Sequence, residues 1–171
     1  ILVDDDQTKN AWCMPGGKIA FYSGILPIAK NNDGIASIMG HEIAHAVARH
    51  TAERASRSIL MDAGTYAFER LILGTSMTGY SRRLYGQLRQ LGLELPFNRS
   101  QESEADYLGL IFMSLANYNT KESYRVWERM QKTAGGSPAE FWSTHPSPEN
   151  RIKKLKEWIP LVATQYPSVK V

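Results

Sequence analysis

An α+β fold, mostly helical with a small N-terminal antiparallel β-sheet, is predicted from three observations. Two short strand-like runs, residues 10–14 and 18–23, flank Pro15-Gly16-Gly17, a strong turn signal, and read as a hairpin. The stretch Ile35 to Val47 is apolar or small on nearly every face, the pattern of a buried helix. Beyond it the chain carries successive helix starts and stops.

Taken in order, Ile1 to Val3 is a short apolar run ahead of the hairpin. Asn32-Asp33-Gly34 starts a helix that extends to about Arg57 and emerges into water at Arg49, Glu53 and Arg54. A second helix covers about Ile59 to Leu73. Residues 74–98 contain Gly74, Gly79, Gly86, Gly92 and Pro96 and read as a mobile excursion with a short helix. A third helix starts at Asn98 or Ser100, either of which can cap it, and runs to about Ala116. A fourth begins at Thr120 and is broken by Gly135-Gly136-Ser137-Pro138. Ser147-Pro148-Glu149 opens the last helix, with Ser147 as N-cap and Pro148 at the first helical position, and Pro160 ends it.

Composition narrows the function. At 171 residues, 43% hydrophobic and 22% charged, the chain has material for one packed domain spanning 1–171. A net charge of +3 does not imply a polyanion partner, and no Lys/Arg cluster reads as a nucleic-acid patch. The basic run Arg151 to Glu157 reads as a solvated helix face. The single cysteine, Cys13, excludes an intramolecular disulfide framework and a multi-cysteine zinc site. No signal-peptide pattern is visible, and the chain begins at Ile1 rather than Met, as a processed or truncated piece of a longer chain would. The most apolar stretch, Ile59 to Gly74, is interrupted by Asp62, Glu69 and Arg70, so it reads as a buried helix rather than a membrane span. No motif specifies an oligomeric state.

The strongest chemical signal is HEIAH at residues 41–45. Four residues advance a helix by about 400°, so His41 and His45 share a face and can bind one zinc ion. Glu42, the residue after His41 on the same helix, can reach a water on that metal. The motif sits in a stretch that otherwise tolerates almost nothing polar, and burying it without partners would cost several kcal/mol.

A catalytic zinc site needs a third protein ligand and an open position. With no other His pair or Cys cluster, a carboxylate is the natural candidate. Residues 100–106, SQESEAD, offer Glu102, Glu104 and Asp106. Glu102 and Asp106 are four apart and share a face, whereas Glu104 points away. The economical assignment makes Glu102 the ligand and Asp106 the acceptor for the free ring nitrogen of a ligand histidine. Glu104 is the rival, but it has no carboxylate one turn later on its own face.

His145 lies in the turn STHPSPENR, residues 143–151, just before the last helix. It could donate to a developing oxyanion or fill the open zinc position in a resting form, although composition alone favours a solvated turn histidine. His50, five residues after His45, falls off the metal face and reads as structural.

These blocks together resemble the HtpX-like zinc metallopeptidases, the family that includes the CAAX prenyl protease and envelope and mitochondrial quality-control proteases. The match runs in order through NAWCMPGGKIAFYSGIL (10–26), GHEIAHAVARH (40–50), SQESEADYLG (100–109) and STHPSPENRI (143–152). The resemblance implies one Zn²⁺ per chain on His41, His45 and Glu102, Glu42 as general base, Asp106 behind the ligands, an active-site role for His145, and Arg151 as a substrate-binding or site-ordering residue. The implied reaction is hydrolysis of peptide bonds in unfolded or misfolded polypeptides, with an extended substrate added to a strand of the N-terminal hairpin. A latent protease and a non-cleaving zinc-containing chaperone stay open as alternatives. The family's soluble members are mostly bacterial envelope proteins, so a cell-envelope, periplasmic location is the expectation.

Overall fold

A computed structural model describes residues 1–14, 17–71, 78–133 and 148–169. Three strands open it: β1 (Leu2–Val3), β2 (Ala11–Met14) and β3 (Lys18–Tyr22), in the order β1-β3-β2. β2 and β3 form the expected antiparallel pair, Ala11 opposite Phe21 and Met14 opposite Lys18. Gly17 takes φ 77° at the turn, a conformation that suits glycine. The sheet is nevertheless mixed, because β1 pairs with β3 in parallel. The cause is the intervening loop. Asp5 Oδ1 accepts from the Gln7 and Thr8 amides, folding residues 5–8 into a turn that carries the chain to the far side of β3.

A short α1 (Leu26–Ala29) ends at Lys30, which has φ 71°. Asn31 then caps α2 (Asn32–Val47), its side chain accepting from Gly34 N at 2.8 Å. This helix stops ten residues short of the expected Arg57. The chain bends at Ala48 and Arg49, where Arg49 has φ 58°, and restarts as α3 (His50–Leu71). The expected boundary between helices at 57–59 is absent, and α3 is continuous through it.

The expectation of a buried helix at 59–73 is overturned. Ile59, Leu60, Tyr66 and Leu71 are all more than 60% exposed. The first turns of α3 meet the body of the protein through Glu53 and Arg54 on Gln101. Further along, α4 (Gly79–Arg89) reaches it, with Arg89 donating to Asp62 at 2.7 Å. Apolar composition without a consistent face is a poor guide to burial.

The segment 79–94, expected as an excursion with a short helix, is helical throughout and runs through a π-turn (Gln90–Glu94) into α5 (Leu95–Leu115). Leu95 N–H bonds Gln90 O, five residues back, and this wide turn admits Pro96. Neither Asn98 nor Ser100 starts α5; the Ser100 hydroxyl donates to Phe97 O inside it. After α6 (Glu122–Thr133), the Gly135–Pro138 breaker and the Ser147 cap lie outside the described residues. The last helix, α7 (Pro148–Gln165), continues through Pro160 instead of ending there. Pro160 is on the exposed side, while buried Val162 and the bond from Ser114 Oγ to Tyr166 O hold the following turn to the core.

The core joins Phe21, Ile28 and Ile38 to Leu110, Trp127 and Leu155, and so draws on the sheet and on α1, α2, α5, α6 and α7. At its centre α2 crosses α5 backbone to backbone. A Cβ on Gly40 would lie 3.2 Å from Gly109 O, and one on Gly109 would lie 3.1 Å from His41 N. No described helix is long and apolar enough to cross a membrane. Gly109→Val should force α2 and α5 apart and destabilise the protein by about 1–3 kcal/mol, read as a lowered denaturant midpoint at unchanged slope.

Candidate metal centre

His41 and His45 project from the α2 face that meets α5. Their Nε2 atoms lie 3.1 Å apart. Glu102, two turns before Gly109 on α5, completes the cluster. Its carboxylate oxygens are each 3.3 Å from one histidine Nε2, and its residue is 1% exposed. The three donors lie within 4.8 Å of one another and could hold a metal ion. Two imidazoles and one carboxylate, all buried, form a donor set suited to zinc. Glu42, 3% exposed, is one residue from His41 on the same helix.

Asp106 follows Glu102 by one helical turn. Its Oδ1 is 3.1 Å from His41 Nδ1, the nitrogen facing away from the cluster. Arg151 reaches in from the first turn of α7. It donates from Nε and Nη2 to the two oxygens of Asp106, at 2.6 and 2.5 Å, and from Nη1 to Glu102 at 3.0 Å. Its guanidinium lies 3.8 Å from the centre of the Trp127 ring, in cation–π range. Arg151 is thus 5% exposed and turned toward the protein.

The electrostatics are dominated by the carboxylates. Burial and the Arg151 charge both push the His41 imidazole toward neutrality. Hydrogen bonds to Asp106 and Glu102 outweigh them and raise it to about 9 in the metal-free protein. For Asp106, burial favours the neutral acid, but Arg151 and His41 prevail and hold its carboxyl below the usual range. The pocket therefore favours positive charge where the ring nitrogens converge.

Of the two rival carboxylates, Glu102 joins the histidines and Glu104 does not. The Glu104 side chain is 59% exposed and its Oε2 lies 3.4 Å from His50 Nε2. His145 lies outside the described residues. The residue that spacing alone passed over is His50. It is 1% exposed and sits behind His45, with the two Nδ1 atoms 2.9 Å apart. A straight helix would have carried it off that face; the bend at Arg49 returns it, and no sequence signal marks that bend.

A cavity of about 340 Å³ opens beside the cluster, lined by Cys13, Met14, His45, Ala46, Arg49 and Thr51. It joins the end of β2 to the second histidine. Among the described residues, β2 is an edge strand of the sheet order β1-β3-β2.

Peptidase family M48 matches residues 1–159 of the chain. The chain is 42% identical over 162 residues to the mitochondrial metalloendopeptidase OMA1 of Schizosaccharomyces pombe, covering 91% of this chain and 45% of that protein. It is 42% identical over 166 residues to the protein of the same name from Saccharomyces cerevisiae, covering 94% and 46%. It is 35% identical over 157 residues to the one from Arabidopsis thaliana, covering 92% and 31%. The chain thus spans less than half the length of these curated relatives. They also overturn the expected bacterial envelope location, since each is named as mitochondrial.

Arg151→Leu removes the buried guanidinium that bonds both Asp106 and Glu102, leaving the His41 imidazole beside two carboxylates. The metal-free variant should lose about 3–5 kcal/mol in denaturant unfolding. Arg151→Lys should recover only part of this, because an ammonium cannot reproduce the two-pronged contact.

Proposed function

Because the chain belongs to peptidase family M48, we propose that it is a zinc-dependent endopeptidase domain, acting on unfolded or misfolded polypeptides in protein quality control. The observation that carries this reading is the buried convergence of His41 and His45 from α2 with Glu102 from α5, beside Glu42.

In this reading His41, His45 and Glu102 hold one zinc ion. When bound, zinc supplies Lewis acidity that polarises the scissile carbonyl and activates water at neutral pH. Glu42 takes the proton of the attacking water as the water oxygen bonds to the carbonyl carbon. It returns that proton to the amide nitrogen as the C–N bond breaks. His145 donates to the carbonyl oxygen as negative charge develops there. Asp106 accepts from His41 Nδ1 and fixes that ring, and Arg151 holds Asp106 and Glu102 in place.

The β2 edge and the adjoining cavity support binding of an extended substrate by strand addition. An unfolded chain can supply such a strand, whereas a folded one has already paired most of its backbone groups. The names of the relatives favour mitochondria as the compartment.

Casein cleavage with zinc analysis on the same samples tests this. Wild type should hold about one zinc, and a chelator should abolish cleavage until zinc is restored. Glu42→Gln should keep the metal and lose at least ~10²-fold in turnover. Cleavage at the wild-type rate by that variant would remove Glu42 as the base. His41→Ala should lose the metal together with the activity.

A further inference from the structure

We propose that His50 is a positioning residue for the metal ligand His45, fixing the tautomer and plane of its ring through an imidazole–imidazole hydrogen bond. The inference rests on the zinc site proposed above. His45 Nε2 faces His41 and Glu102, so it is the nitrogen that coordinates and must carry a lone pair. A neutral imidazole then bears its proton on Nδ1. That atom is 2.9 Å from His50 Nδ1, which must therefore accept. Accepting on Nδ1 leaves the His50 proton on Nε2, the atom that faces Glu104 Oε2 at 3.4 Å. Each proton position follows from the next, and the series Glu104–His50–His45 ends with a lone pair aimed into the donor cluster.

The two ligand histidines are thus held by different chemistry. His41 has a buried carboxylate behind it, and His45 has a second imidazole. The rings of His45 and His50 meet at 73° with centroids 4.9 Å apart, so His50 also limits rotation of the ligand ring. Its place depends on Arg49 at φ 58°, which turns the first residue of α3 back toward α2. Glu104 contributes less to this series, because its contact is long and its side chain is mostly in water.

The test is zinc affinity of the purified chain by competition with a chromogenic chelator, alongside circular dichroism of the metal-free form. His50→Leu should bind zinc ~10–100-fold more weakly, the usual effect of removing a group that orients a ligand. His50→Gln, which restores an acceptor, should regain most of that loss, and Glu104→Gln should lose less than His50→Leu. Affinity of His50→Leu within about threefold of wild type would overturn the proposal, as would equal losses in the Gln and Leu variants. Histidine-labelled ¹⁵N spectra of the zinc-loaded wild type test it even if a variant fails to fold. They should place the His45 proton on Nδ1 and the His50 proton on Nε2, and a proton on His50 Nδ1 would overturn it. A wild-type chain that binds no zinc would instead overturn the metal-site reading beneath it.

Discussion

Two helices cross at Gly40 and Gly109 with no side chain between them, and the rest of the site is laid out from that crossing. His41 is the next residue on α2, and His45 follows one turn later. On α5, Asp106 and Glu102 lie one and two turns before Gly109. With the backbones in contact, the side chains flanking the crossing have only a few ångströms to span. A bulkier pair of residues would separate the histidines from the carboxylates by more than a metal–ligand bond tolerates.

Three buried carboxylates, Glu42, Glu102 and Asp106, share this small volume with two imidazoles. Such a concentration of acid inside a protein needs compensating positive charge. Arg151 provides part of it, and its own burial is possible because two carboxylates and the Trp127 face surround it. A divalent cation on the histidine side would supply the rest. Stability and metal binding are therefore coupled here through the same few side chains.

The parts of this arrangement that follow from periodicity were legible in the sequence. His41 and His45 are one turn apart, and so are Glu102 and Asp106; helical spacing alone places each pair on a face. The Pro15-Gly16-Gly17 turn likewise announced the β2–β3 pair. What escaped depends on tertiary contacts or on single backbone angles. Arg49 in a left-handed conformation divides one expected helix and brings His50 behind His45. A π-turn lets α5 begin before Pro96 rather than at a capping residue. Anchoring by Val162 and Tyr166 carries α7 past Pro160. Ile59, Leu60, Tyr66 and Leu71 of α3 remain largely in water because they share no face that joins the core cluster. The expected bacterial location failed for a different reason: it came from the habits of a family and had no physical basis in these residues.

Arg151 and His41 meet across 110 positions of chain. Closing a contact of that span costs the entropy of the intervening loop. The guanidinium that bonds both Glu102 and Asp106 is in place only once α7 has docked. The surroundings of the histidine–carboxylate cluster therefore depend on the C-terminal helix as well as on α2 and α5. A partly synthesised or partly unfolded copy carries the HEIAH helix without the guanidinium that bonds both Asp106 and Glu102 beside it.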